Sequence, residues 1–239
     1  MKKILLAFDS NHFSAGAFEF ARRLNEIEPI LLVGFFLPAV YYANSPVHEE
    51  EGTHPFFVPL IEEEDIEIIE NSICAFEQKC SENNIKHLVH KNLADAAIPS
   101  LKTETRFTDL LIIGSEMFYK NLGNAKPNEY LRYALHEAEC PVLIVPEKFD
   151  FPQSNILAYD GSEASIYAIK QFKYLFPELC RQKTLLLYIN QKPNSEFPDL
   201  LYMEEFITAS FNDLKIHTLD INPRKYFATW ISEKRVQYS

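Results

Sequence analysis

Short runs of consecutive apolar residues alternate along this chain with longer segments whose apolar positions recur every three or four residues. Ile4–Phe8, Ile30–Leu37, Leu110–Ile113 and Val142–Val145 are of the first kind, stopped by Asp9, Pro38, Gly114 and Pro146. Runs apolar at every position predict strands buried on both faces, as in a parallel sheet covered by helices. Ile85–His90 reads as a further strand. Between the runs, Phe13, Ala17, Phe20, Ala21 and Leu24 follow a helical period, with Ser10, Asn11 or Ser14 available as N-cap. Ile66, Ile69, Ile73, Phe76 and Cys80 predict a second helix, with Glu62–Asp65 at the positive end of its dipole. Leu93–Thr105 is weaker, and Pro99 inside it predicts a late start or a kink. Leu131, Ala134, Leu135 and Ala138 mark a fourth helix, entered through Pro127 or Asn128. Ala39–Pro59 is left as a long irregular segment, of the kind that covers a site or stays partly disordered.

Five strands separated by four helices make a (βα)4β domain ending at Pro146. Each strand–helix–strand crossover is right-handed almost without exception. After a linker the pattern restarts: Asn155-Ile156-Leu157-Ala158-Tyr159-Asp160 echoes Lys3-Ile4-Leu5-Leu6-Ala7-Phe8-Asp9. A helix opening at Gly161-Ser162, a strand at Thr184–Ile189, a helix at Leu200–Phe211 and a strand at Leu214–Leu219 follow. Asn222–Ser239 holds one last helical pattern with Phe227, Trp230 and Ile231. The reading is an internal repeat, with a domain over 1–148 and an incomplete second one over 149–239.

Composition narrows the chemistry. A net charge of -11 disfavours nucleic-acid backbones and anionic membranes, which need clustered cations. The opening apolar run is cut by Asp9, too short for a signal peptide, and no later run spans a bilayer. Cys74, Cys80, Cys140 and Cys180 lack CxxC spacing and read as reduced, buried thiols of a cytosolic protein. With 6 glycines in the whole chain there is neither a Walker A loop nor a GxGxxG fingerprint. His48, Glu49, Glu50, Glu51 and His54 have no metal-ligand spacing and read as a solvated acidic loop. His87 and His90 have opposite parity on their strand, so they point to opposite faces. No base is placed to activate Cys140, and no nucleophile elbow occurs.

Four stretches, KKILLAFDS, NILAYDGSEAS, TDLLIIGS and HEAECPVLIVP, resemble the universal stress protein family in its tandem form. The resemblance covers residues 1–146 fully and 155–221 in part. It implies a three-layer, doubly wound α/β fold of the adenine nucleotide alpha hydrolase-like type, with parallel strand order 3-2-1-4-5. That order sets a switch point between the first and fourth strands, where open α/β sheets bind ligands. Asp9, Gly34, Gly114 and Ser115 are then the candidate nucleotide-binding residues. Nucleotide-binding members carry G-x2-G-x9-G followed by Ser or Thr, whose backbone N–H groups cradle phosphate. Here Gly114 matches, but Met117 and Pro127-Asn128 stand at the remaining positions, and proline has no N–H to give.

The resemblance and the degraded loop together lead to a cytoplasmic stress-response protein that is not an enzyme and carries no cofactor or metal. It would act through protein association, as a homodimer joined along the fifth-strand edge Val142–Val145. The alternative is an ATP- or AMP-binding sensor, or slow ATPase, using Asp9, Gly34 and Gly114-Ser115. A metal-dependent enzyme built on the His48–His54 loop is a third reading. Arg235–Ser239 resembles no ending of that family, which leaves a shortened chain as a further expectation.

Overall fold

The computed structural model describes residues 1–9, 13–37, 63–91, 97–115, 135–189, 197–219 and 230. It divides into two compact units, Met1–Phe149 and Asp150–Ser239.

The first unit runs β1 (Lys2–Asp9), α1 (Ala15–Ile27), β2 (Ile30–Leu37), α2 (Glu63–Glu82), β3 (Lys86–Lys91), α3 (Ala97–Arg106), β4 (Leu110–Gly114) and β5 (Val142–Val145). All five strands are parallel and lie in the order β3-β2-β1-β4-β5. The runs of the inner strands do what they predict, Ile4–Phe8 and Leu110–Ile113 being buried at every residue, whereas Val142–Ile144 on the edge strand β5 are only half-buried, because one side of that strand has no described neighbour. Successive side chains leave a strand on opposite faces, so one run feeds two cores. Leu5, Ala7, Val33, Phe35, Leu111 and Ile113 meet Leu101 of α3 on one face. On the other, Phe8 and Phe36 stack at 4.9 Å and Phe76 of α2 meets both rings edge-on. Burying the four largest aromatic side chains (Phe8, Phe35, Phe36 and Phe76) contributes about 2 kcal/mol apiece.

Local signals set the helix ends. Ser14 is the N-cap of α1, its Oγ accepting from Ala17 N–H. In α2 the residues Ile69, Ile73, Phe76 and Cys80 are buried, while Ile66, a turn nearer the start, is 38% exposed. Asn84, at φ 53°, turns the chain out of α2 into β3. Pro99 falls in the first turn of α3, where its missing N–H costs nothing, so the late start holds and no kink is needed. Residues 135–137 are helical, while Leu131 and Ala134 of the expected fourth helix lie outside the described residues. So does the Ala39–Pro59 segment.

The second unit contains β6 (Ser154–Tyr159), α4 (Glu163–Leu175), a short 3-10 turn (Leu179–Arg181), β7 (Lys183–Ile189), α5 (Leu200–Thr208) and β8 (Asp213–Leu219). Its three parallel strands are ordered β6-β7-β8, the arrangement of β1-β2-β3. Leu157, Tyr159, Leu186 and Tyr188 form a core with Ile169 of α4 and Met203 of α5.

Candidate functional site

The candidate residues gather where β1 and β4 leave the sheet. Ala7 is level with Ile113, so Asp9 and Ser115 each stand two residues beyond one shared rung. Asp9 closes β1 opposite Leu37, and its side chain lies outside the described set. Gly34 sits deeper, level with Leu6, about 10 Å short of the strand ends at 3.3 Å per residue.

What surrounds the two glycines is the chain itself. A Cβ on Gly114 would stand 2.4 Å from Ser14 Oγ and 2.7 Å from Ser14 Cβ. The close approach that glycine permits here is taken by the α1 cap. A Cβ on Gly34 would stand 2.9 Å from the Phe76 ring. This glycine therefore makes room for an aromatic core residue. Ser115 is 7% exposed and sits directly after Gly114.

The start of α1 faces the same crevice and carries a built-in anion. Glu147, two residues past β5, accepts Ala15 N–H at 2.9 Å through Oε1 and Gly16 N–H at 3.4 Å through Oε2. Ser14 Oγ also donates to Glu147 Oε2 at 3.0 Å. A helix N-terminus leaves free N–H groups and a positive dipole end, which is why it attracts carboxylates and phosphates alike. Gly16 lets the segment close in, since a Cβ there would lie 2.1 Å from the Pro146 carbonyl oxygen. Phe149 then packs on Phe20 with ring centroids 5.8 Å apart.

Glu147 carried no signal in the sequence, because its partners lie 131 to 133 positions away. Asp109, the acidic residue of TDLLIIGS, likewise has a partner that is distant in the chain. Its carboxylate accepts Lys3 N–H at 2.7 Å and its own N–H donates to Lys3 O at 2.9 Å, locking β4 beside β1. In the second unit Asp160 accepts both the N–H and the hydroxyl of Ser162, at 2.9 and 2.6 Å. Those hydrogen bonds hold its carboxyl below the ordinary aspartate value. Ser162 in turn caps α4 by accepting Ser165 N–H at 3.2 Å. Beyond β6 and β7, Tyr159, Tyr188 and Phe197 pack with centroids 4.9 to 6.0 Å apart.

The remaining candidates separate. His87 meets the Phe76 ring of α2 edge-on, whereas His90 Nδ1 lies 2.7 Å from Glu104 of α3, on the opposite face. Burial pushes the Cys80 thiol up to about 12, with Glu77 adding to it. Burial likewise pushes Cys140 up to about 11 against a hydrogen bond from the Leu111 backbone. Neither thiol is poised as a nucleophile. Among the described residues no group of three or more His, Cys, Asp or Glu side chains is placed to hold a metal, and the His48–His54 loop lies outside them. Met117, Pro127 and Asn128 also lie outside. No helix among the described residues is long and apolar enough to cross a membrane.

No protein-family profile matches the chain, and neither does any curated protein sequence. Solved structures do. A universal stress protein from Archaeoglobus fulgidus DSM 4304 superposes with a TM-score of 0.65 at 16% identity, over 98% of this chain and 82% of its own. Universal stress protein UspA from Lactobacillus plantarum aligns with a TM-score of 0.38 at 15% identity, over 60% of this chain and 97% of its own. The first likeness shows the fold: the five-stranded 3-2-1-4-5 sheet with helices on both faces is that of universal stress proteins.

Proposed function

We propose that this chain is a cytoplasmic stress-response protein of the universal stress class that works through association and not through catalysis. The observation that carries the reading is the filling of the switch-point crevice by the protein's own groups. Ser14 occupies the space beside Gly114 and the Glu147 carboxylate the α1 N-terminus, while Phe76 fills the core beside Gly34 below the strand ends. A phosphate arriving there would have to displace an internal anion that is tethered and already hydrogen-bonded. Pro127 at a position that should donate an N–H adds to the same reading. On this reading the protein needs no cofactor or metal. β5, hydrogen-bonded only to β4 among the described residues, offers Val142–Val145 as an edge for a second copy.

Titration with ATP or AMP and magnesium, followed by thermal unfolding, tests it. A ligand bound only by the folded state adds about 2.7 kcal/mol at a hundred times its dissociation constant. The expected result is no saturable shift with the wild type; a shift with Met117→Gly, Pro127→Gly would assign the loss to missing backbone amides and not to the filled crevice. A saturable shift of the wild type would instead favour the nucleotide-sensor reading, in which Asp9 and Gly114-Ser115, converging at the strand ends, contact the nucleoside. The β5 edge is tested by light scattering, where the expected mass is twice that of the chain.

A further inference from the structure

Strand β5 is the shortest of the five in its sheet, and its pairing with β4 runs only from Leu111↔Val142 to Gly114↔Val145. Val142, Leu143 and Ile144 are half-buried, and Val145 alone is fully covered. Few buried contacts place an element at the low end of local stability, so what holds each end of β5 decides whether it stays flat on the sheet. The first end is tied to β4 and α3. Leu111 N–H donates to Pro141 O at 3.0 Å, and Glu139 N–H donates to Thr105 Oγ1 at 3.1 Å. Arg106 adds two hydrogen bonds to the Glu139 carboxylate, at 2.6 and 2.8 Å.

The second end is held differently. Pro146 has no N–H with which to continue the ladder beyond Val145. The chain instead lies down on α1, so close that a Cβ on Gly16 would stand 2.1 Å from Pro146 O and 2.8 Å from Glu147 Cα. Glu147 ties it there, accepting from Ala15 N–H, Gly16 N–H and Ser14 Oγ. Ser14 Oγ belongs to the crevice as well, because it fills the space beside Gly114 and accepts Ala17 N–H at 3.3 Å. Gly114 is in turn the pairing partner of Val145. The end of β4, the start of α1 and the end of β5 therefore meet on one hydroxyl and one carboxylate. Moving Ser14 away from Gly114 breaks its bond to Glu147. Withdrawing the end of β5 removes the acceptor of the Ala15 and Gly16 amides and uncovers Val145.

We propose that Glu147 is a latch that couples the switch-point crevice to the β5 edge. Latched, Val142–Val145 lies flat against β4, with the N–H and C=O groups of its free side aligned for a second copy. Unlatched, the end of β5 leaves α1 and the alignment is lost. The coupling rests on the association through β5 proposed above, and it names the residue that regulates that association. It is reciprocal, as linked equilibria must be: opening the crevice weakens association, and association keeps the crevice closed.

Hydrogen exchange and light scattering on the full chain separate these states. Glu147→Ala is expected to speed exchange at the β5 amides and to weaken association, each about tenfold, in keeping with the loss of charge-assisted hydrogen bonds. Ile85→Val, a buried change beside β3 at the opposite edge of the sheet, is the control for stability lost elsewhere and is expected to move neither. Raising the wild-type concentration through the association range is expected to slow exchange at Ala15 and Gly16, and Glu147→Ala to abolish that slowing. Association that is unchanged by Glu147→Ala, or weakened as much by Ile85→Val, overturns the latch and leaves association through β5 standing. Ala15 and Gly16 amides indifferent to concentration in a wild type that does associate have the same consequence. A wild type that stays monomeric at high micromolar concentration overturns both the latch and the association.

Discussion

Gly16 and Gly114 show how little freedom single positions have where α1 meets the ends of β4 and β5. A methyl group on Gly16 would overlap backbone, Pro146 O at 2.1 Å, and one on Gly114 would overlap the Ser14 side chain at 2.4 Å. Backbone yields less readily than a side chain. Gly16→Ala is therefore expected to destabilise more than Gly114→Ala, both within the ~1–3 kcal/mol typical of overpacking, as read from urea midpoints. The thiols give a pH dependence. Cys80 and Cys140 hold their protons up to about 12 and about 11 when folded, against 9.0 for a free thiol. Between these values the unfolded state binds fewer protons, so stability falls as pH rises above 9. Equilibrium unfolding from pH 8 to 10.5 should show that decline, and Cys80→Ala should reduce it. Cys74, expected to be buried with the other thiols, is exposed on α2, so at pH 8 a thiol reagent is expected to reach it long before Cys80 or Cys140.

Helix α1 depends on a cap supplied from the far end of its unit. Glu147→Ala removes the acceptor of the Ala15 and Gly16 amides and the partner of Ser14 Oγ. The expected cost is about 1–2 kcal/mol, within the range for losing a cap plus a favourable dipole charge. Hydrogen exchange at Ala15 and Gly16 should accelerate with it, while β1–β4 amides keep their order of protection. If Glu147 also bars anions from the crevice, Glu147→Gln should not by itself create nucleotide binding, because Gly114 stays blocked by Ser14. The elements themselves were readable from residue patterns. Ile30–Leu37 is the observed β2 and Val142–Val145 the observed β5, end for end. Ser14, one of the three caps the sequence offers, is the N-cap of α1, and its hydroxyl also packs against Gly114 and donates to Glu147.

Among the described residues the two units are of unequal build, five strands against three. The single tryptophan, Trp230, stacks on His217 of β8 with centroids 5.9 Å apart, so its fluorescence reports the second unit. Far-ultraviolet circular dichroism reports both. The expected outcome in urea is a fluorescence midpoint below that of circular dichroism, since the smaller sheet leaves Ile156 and Ile216 more than a third exposed. Coincident transitions would mean that the units unfold as one.

Periodicity in the chain was enough for the number and chain order of the described strands and for the burial of β1 and β4, because those follow from neighbours two, three and four residues apart, and the motifs at Asp9, Gly114 and Pro141 supplied the topology by resemblance. The contents of the crevice and of the core below it were decided only by folding. Ser14 against Gly114, Phe76 against Gly34 and Glu147 over α1 join residues dozens to more than a hundred positions apart. Such contacts leave no repeat in the sequence. A carboxylate two residues past a strand looks like any surface acid until the chain carries it to a helix end.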